Sequence, residues 1–114
     1  MHWSRVVTLV ALRAELRRRF PTVVVHLRQQ GATVELQLLA VPRHERGRGV
    51  GSRVLERLCR WADSSGVLLT LTPDGAFGMD VRRLTNWYQG FGFQPFAGSR
   101  KLERQASSWI AAAA

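Results

Sequence analysis

The chain has 114 residues, 46% hydrophobic and 22% charged, enough to bury one core without a metal or a disulfide frame. Seventeen Lys+Arg against eight Asp+Glu give a net charge of +9, and every basic residue except Lys101 is arginine; such a surface favours polyanions, whether nucleic acid, acidic protein, phosphorylated cofactor or anionic lipid. The single Cys59 excludes an intramolecular disulfide, three scattered histidines and one cysteine give no metal site, and no apolar run approaches the roughly 18 residues of a membrane span.

In chain order, Ser4 can cap a helix running to about Arg19, with a broad apolar stripe of Val6, Val7, Leu9, Val10, Leu12, Leu16 and Phe20; Pro21 stops it. Arg17-Arg18-Arg19 read as a solvated helix end, where cations favour the negative pole of the helix dipole. The β-branched run Thr22 to Arg28 is a strand with His26 on its surface, Gln29 to Ala32 a turn, and Thr33 to Val41 a second strand. Within that second strand Val34, Leu36 and Leu38 alternate with Glu35 and Gln37 before the pattern turns wholly apolar, as in a strand that becomes buried on both faces or bulges.

An Arg/Gly loop follows, Pro42 to Gly49, and then Val50, Val54, Leu55, Leu58, Cys59, Trp61 and Ala62 recur at helical spacing until Ser64-Ser65-Gly66. Cys59 sits in that apolar pattern as a buried structural thiol. Val67 to Thr72 is a short strand, so strand, helix and strand suggest a βαβ unit with a parallel pair. Pro73 to Gly78 has turn chemistry, Asp80 can cap a helix from Val81 to about Gln89 closed by Gly90, and Phe91 to Phe96 is a strand. A polar connection through Arg104 leads to a last strand near Ser107 to Ala112. The expected fold is α/β (α+β), a mixed sheet flanked by helices in the order α-β-β-α-β-α-β-β, as a single domain over residues 1–114. The start lacks the uninterrupted apolar core and cleavage site of a secretory leader, and the expectation is a cytoplasmic protein without membrane association.

A strand feeding a glycine loop that opens a helix is a ready place for a phosphate, because the first-turn N–H groups have no partners inside the helix. Gly47-x-Gly49-x-Gly51 does not fit the dinucleotide fingerprint G-x-G-x-x-G, and no nucleotide-hydrolysing P-loop motif occurs.

Arg46-x-x-Gly49-x-Gly51, preceded by Val41-Pro42 at a strand end, resembles the acetyl-CoA signature Q/R-x-x-G-x-G/A of the GNAT N-acetyltransferases. Leu84-x-x-Trp87-Tyr88-Gln89-x-Phe91-Gly92-Phe93 is similar to that family's second hallmark, a helix carrying a tyrosine followed by a Gly-Phe strand. The likeness covers roughly Thr33 to Pro95. Leu71-Thr72-Pro73-Asp74 with Phe77-Gly78 also resembles a compact subgroup common among bacteriophage-type sequences.

The resemblance implies that acetyl-CoA is the acyl donor. It assigns the pyrophosphate to the loop Arg46, Gly47, Arg48, Gly49, Val50, Gly51 and Ser52, and the pantetheine arm to the strand residues Leu39, Ala40 and Val41, main-chain groups of Leu39 and Val41 pairing with it as an added strand would. Tyr88 matches the family's usual general acid, with a packed amphipathic tyrosine as the plainer reading; Glu35 resembles the glutamate base of the histone-acetyltransferase branch, with a polar position on an alternating strand as its plainer reading. His44 and Glu45 read as turn residues. Relatives often carry an asparagine where this chain has Val81, and many have further N-terminal elements on the acceptor side that are not seen here.

The implied activity is transfer of an acetyl group to a primary amine by direct attack in a ternary complex. The acceptor would be a protein or small molecule, acidic or nucleic-acid-associated given the charge, and a homodimer is compatible with the open acceptor side. Two alternatives stay open: an inactive acyl-CoA-binding or regulatory domain, and a small basic nucleic-acid-binding protein.

Overall fold

The computed structural model describes residues 7–74, 80–96 and 98–106. Ser4, Gly75 to Gly78 and the strand expected near Ser107 to Ala112 lie outside these residues. The elements are α1 (Leu9–Arg19), β1 (Val24–Gln30), β2 (Thr33–Ala40), α2 (Val50–Ser65), β3 (Leu68–Leu71), α3 (Val81–Gln89), β4 (Gln94–Pro95) and β5 (Leu102–Arg104), with a 3-10 turn at Arg43–Glu45. The order is α-β-β-α-β-α-β-β, as expected.

Three places differ from the sequence reading, the first being β1, where Gln29 and Gln30, expected in the turn, extend the strand and pair with Val34 and Thr33. Helix α1 starts at Leu9 because the Thr8 hydroxyl accepts a hydrogen bond from the Ala11 amide at 3.1 Å and caps it. Its buried stripe is therefore narrower than expected: Leu9, Leu12, Leu16 and the following Phe20 are buried, whereas Val7 and Val10 face solvent. At the other end β5 occupies Leu102–Arg104, a stretch read as a polar connection, and β4 keeps only Gln94–Pro95 because Phe91 and Gly92 continue as turns off α3.

The sheet runs β1-β2-β3-β5-β4. Among the described residues only β2 and β3 are parallel, joined by the α2 crossover, and the other neighbours are antiparallel. Val54, Leu55, Leu58, Cys59, Trp61 and Ala62 of α2 meet Leu12 and Leu16 of α1 and the strand residues Leu27, Val34, Leu36 and Leu69 in one core. Helix α2 ends where Gly66 adopts φ +66° and both its amide and that of Val67 reach the Ala62 carbonyl.

Two buried or half-buried arginines tie the layers together. Arg57 of α2 donates to Glu15 of α1 through Nε (2.7 Å) and an η nitrogen (2.9 Å). Arg104 of β5 grips Asp63 of α2 at 2.7 and 2.9 Å and donates from Nε to the Phe91 carbonyl at 2.7 Å.

Candidate active site

The site begins where β2 and β3 part. They pair through Thr33↔Leu68, Val34↔Leu69 and Glu35↔Thr70, and there the register ends, although β2 runs on to Ala40. On its other side β2 stays paired with β1, but the register slips by one: His26 faces Leu38 and Leu27 faces Leu36, so Gln37 is an extra residue and β2 bulges there. This accounts for the switch in hydrophobic period noted at Leu38. The bulge redirects the strand, and its edge from Leu36 to Val41 loses the β3 partner.

The resulting wedge is a cleft of about 770 Å³. One wall is Leu36 to Val41 with the glycine loop and the first turn of α2; the other is Leu71 to Asp74 with α3. Helix α3 presents a continuous strip to it, Asp80, Arg83, Leu84, Trp87 and Tyr88, the spacing expected of one helical face. The described residues contain no helix long and apolar enough to cross a membrane and no cluster of three or more metal-ligating side chains.

The loop is built for close approach at its backbone. Gly47 and Gly49 have φ +79° and +76°, in the left-handed region where a side chain is strained. Gly49 is the N-cap of α2 and supplies no side chain, so the first-turn N–H groups of Val50, Gly51 and Ser52 are left uncapped toward the cleft. Gly51 serves packing instead: a Cβ there would lie 3.5 Å from Val41 and 3.6 Å from the Trp87 ring. The Trp87 indole N–H also donates to Ser52 Oγ at 3.4 Å, which docks α3 on the first turn of α2.

The loop arginines differ in role. Arg46 folds back and donates from Nε to the Val41 carbonyl at 2.9 Å, so it fastens loop to strand, while Arg48 is exposed. Glu45 accepts a hydrogen bond from the Thr22 hydroxyl, an anchor between the 3-10 turn and the approach to β1. It is a turn residue, as read from the sequence, and His44 beside it is exposed.

Tyr88 is buried and lines the cleft. Its ring lies 4.9 Å from Trp87 and 5.6 Å from Phe93, and burial pushes its hydroxyl up to about 12. The phenol therefore keeps its proton throughout the neutral range. Glu35 occupies the last paired rung, at the apex where β2 and β3 separate, and accepts from Gln37 Nε2 at 3.3 Å. The cleft lining starts at the next residue, Leu36.

The structure thus brings Leu39, Ala40, Val41, Arg46, Gly47, Gly49, Val50, Gly51, Ser52 and Tyr88 around one cleft, with Glu35 at its apex and Arg48 off the lining. Asp80 caps α3 by accepting from the Arg82 amide at 2.9 Å, and Val81 is exposed. Sequence reasoning missed Arg83, Leu84 and Thr72 as lining residues. Their signal was available for α3: fours counted back from Tyr88 and Trp87 reach Leu84, Asp80 and Arg83.

A family model described as "Acetyltransferase (GNAT) family" matches residues 15–93. No curated protein matches the chain. Among solved structures, Tetrahymena Gcn5 is 16% identical with TM-score 0.57 over 75% of this chain and 61% of that one. Thermoplasma volcanium Ard1 is 16% identical with TM-score 0.57 over 88% and 81%. Escherichia coli YhbS, described as a GNAT family N-acetyltransferase in complex with CoA, is 15% identical with TM-score 0.54 over 85% and 66%. The chain spans about three fifths of the length of Gcn5. At these identities the likeness is one of fold, with a mixed sheet flanked by helices in common.

Proposed function

This chain belongs to the GNAT family of acetyltransferases, and on that premise we propose that it transfers an acetyl group from acetyl-CoA to a primary amine of an acceptor held in the same complex. The observation that carries the reading is the splay of β2 from β3 directly above a glycine-capped helix N-terminus, with Tyr88 inside the wedge. Binding of CoA by YhbS, a structure of the same fold, supports the choice of donor.

The residues fit the donor at three places. Uncapped N–H groups at Val50, Gly51 and Ser52, approached through Gly47 and Gly49, suit a pyrophosphate. The β2 edge from Leu36 to Val41 has no β3 partner and suits an extended amide-bearing arm that pairs as a strand would. Tyr88 suits the thioester end. Acetyl-CoA supplies the acetyl group on a sulfur that leaves readily as a thiolate.

In this reading the amine nitrogen forms the new C–N bond as the C–S bond breaks, and the Tyr88 hydroxyl holds the proton that the thiolate takes. Main-chain N–H groups near the bulge polarise the carbonyl. The amine sheds its proton to Glu35 at the apex of the cleft or to water. Seating both reactants in one wedge removes the entropic cost of bringing them together.

The test is to mix purified protein with acetyl-CoA and a panel of amines and follow thiol release and N-acetylation. Turnover with at least one amine is expected. Tight acetyl-CoA binding with no thiol release for any amine would favour an acyl-CoA-binding regulatory domain instead. Steeply salt-dependent nucleic-acid binding that survives Gly49→Val, with no affinity for acetyl-CoA, would favour the small basic nucleic-acid-binding protein.

A further inference from the structure

The chain around Tyr88 is pinned to α2 at two places. Before Tyr88, the Trp87 indole donates to Ser52 in the first turn of α2. After it, the chain curls back: the amides of Phe91 and Phe93 both donate to the Tyr88 carbonyl, at 2.9 and 3.4 Å, and the fully buried Phe93 sets its ring edge-on to the Tyr88 ring. The carbonyl of Phe91 accepts in turn from Nε of Arg104 at 2.7 Å. The two remaining guanidinium nitrogens are clamped by Asp63, in the last turn of α2, at 2.7 and 2.9 Å.

Every nitrogen of the Arg104 guanidinium is thus committed, and the planar fork fixes the direction of each bond. Both side chains are largely buried, 12% exposed for Arg104 and 8% for Asp63. A pair this buried gains little net stability over apolar packing, because desolvation offsets the attraction. Its distinctive contribution is direction. Gly92 makes the reach possible: it adopts φ +97°, and a Cβ there would stand 3.3 Å from Arg104 Nε. The glycine of the Phe-Gly-Phe run is not part of the cleft lining, and its service is to Arg104.

We propose that Arg104, oriented by Asp63, is a positioning residue for Tyr88: by fixing the Phe91 carbonyl it sets the turn that holds Tyr88 in the cleft, and so aims the phenol at the reacting thioester. The inference rests on the functional reading of Tyr88 above and deepens it. Helix α2 then carries the glycine cap at one end and, at the other, the bracket that places the acid. Such a bracket matters because a catalytic group displaced by about 1 Å can lose as much as a hundredfold in rate. It also keeps Phe93 against the Tyr88 ring, and with it the buried setting of the hydroxyl.

The test uses two conservative variants of the full chain, each assayed below its thermal midpoint. Arg104→Lys keeps a cation beside Asp63 but loses the planar fork, and Asp63→Asn keeps the partner's shape but not its charge. Each should lower kcat about tenfold at unchanged acetyl-CoA affinity, and should lower it no further in the Tyr88→Phe background, since the two changes act through one group. An equal fall in both backgrounds, or weakened acetyl-CoA binding with kcat intact, would overturn the proposal. A second readout needs no turnover. Tyr88 is the chain's only tyrosine, so isotope-labelled tyrosine gives a single ring signal in NMR. In either variant that signal should move, and the phenol should titrate below about 12, nearer the ordinary 10. A spectrum and titration identical to wild type would also overturn it. Turnover that is unaffected by Tyr88→Phe alone would instead sink the acid role, and the tyrosine signal would still judge whether Arg104 places the ring.

Discussion

Tyr88 shows how burial sets the protonation of one residue. Packing between Trp87 and Phe93 raises its hydroxyl to about 12, so the acid form is present across any working pH. Tyr88→Phe keeps the ring and removes the proton; kcat is expected to fall about a hundredfold with little change in acetyl-CoA affinity, read from steady-state kinetics and titration calorimetry. The wild-type pH–rate profile should show no descending limb from Tyr88 until pH approaches 12, since the folded value lies above the usual 10. Gly49 tests the loop: at φ +76° its replacement by alanine should cost about 1–2 kcal/mol of stability and weaken acetyl-CoA, measured by denaturant melts and titration. Tyr88 and the glycines were legible because their spacing is local. The turn of Arg46 back onto the Val41 carbonyl was not, because spacing does not fix where a long side chain folds.

Among elements, the decisive relation is the parting of β2 and β3. The sequence showed a change of period at Leu38, and the structure resolves it as a bulge at Gln37 that ends the pairing beyond Glu35. The docking of α1 on α2 depends on Glu15, whose carboxyl is held down at about 2 chiefly by hydrogen bonds from Arg57, with Arg19 adding to it. A carboxyl lowered from 4.5 contributes stability that is complete above 4.5 and is lost as pH falls toward 2, because the unfolded chain takes up the proton first. Thermal midpoints measured across that window should drop in the wild type, and Glu15→Gln should flatten the drop while lowering stability at neutral pH. Arg104 holds β5, α2 and the turn after α3 together. Asp63→Ala strands that guanidinium in a largely buried place and should cost about 3 kcal/mol in chemical denaturation. Nothing local in the sequence joins Asp63 to Arg104, and for the same reason Leu102–Arg104 was read as a connection rather than a strand.

For the molecule as a whole, Cys59 reports on integrity. It is buried in the α2 face of the core, and burial pushes its thiol up to about 11. Native protein at neutral pH should resist alkylation, and the labelling rate in increasing denaturant should follow global unfolding; fast labelling of the folded chain would contradict the core described here. The order of elements, the glycine loop and the tyrosine helix were determined by the sequence itself, because hydrophobic period, caps and turn residues act over a few neighbours. Only the tertiary structure decided that the two motifs share one cleft, that β2 leaves β3 after Glu35, and that Arg83 lines that cleft. The first of these depends on how α3 docks on α2 through Trp87, Gly51 and Ser52, contacts between residues far apart in the chain that no local pattern encodes.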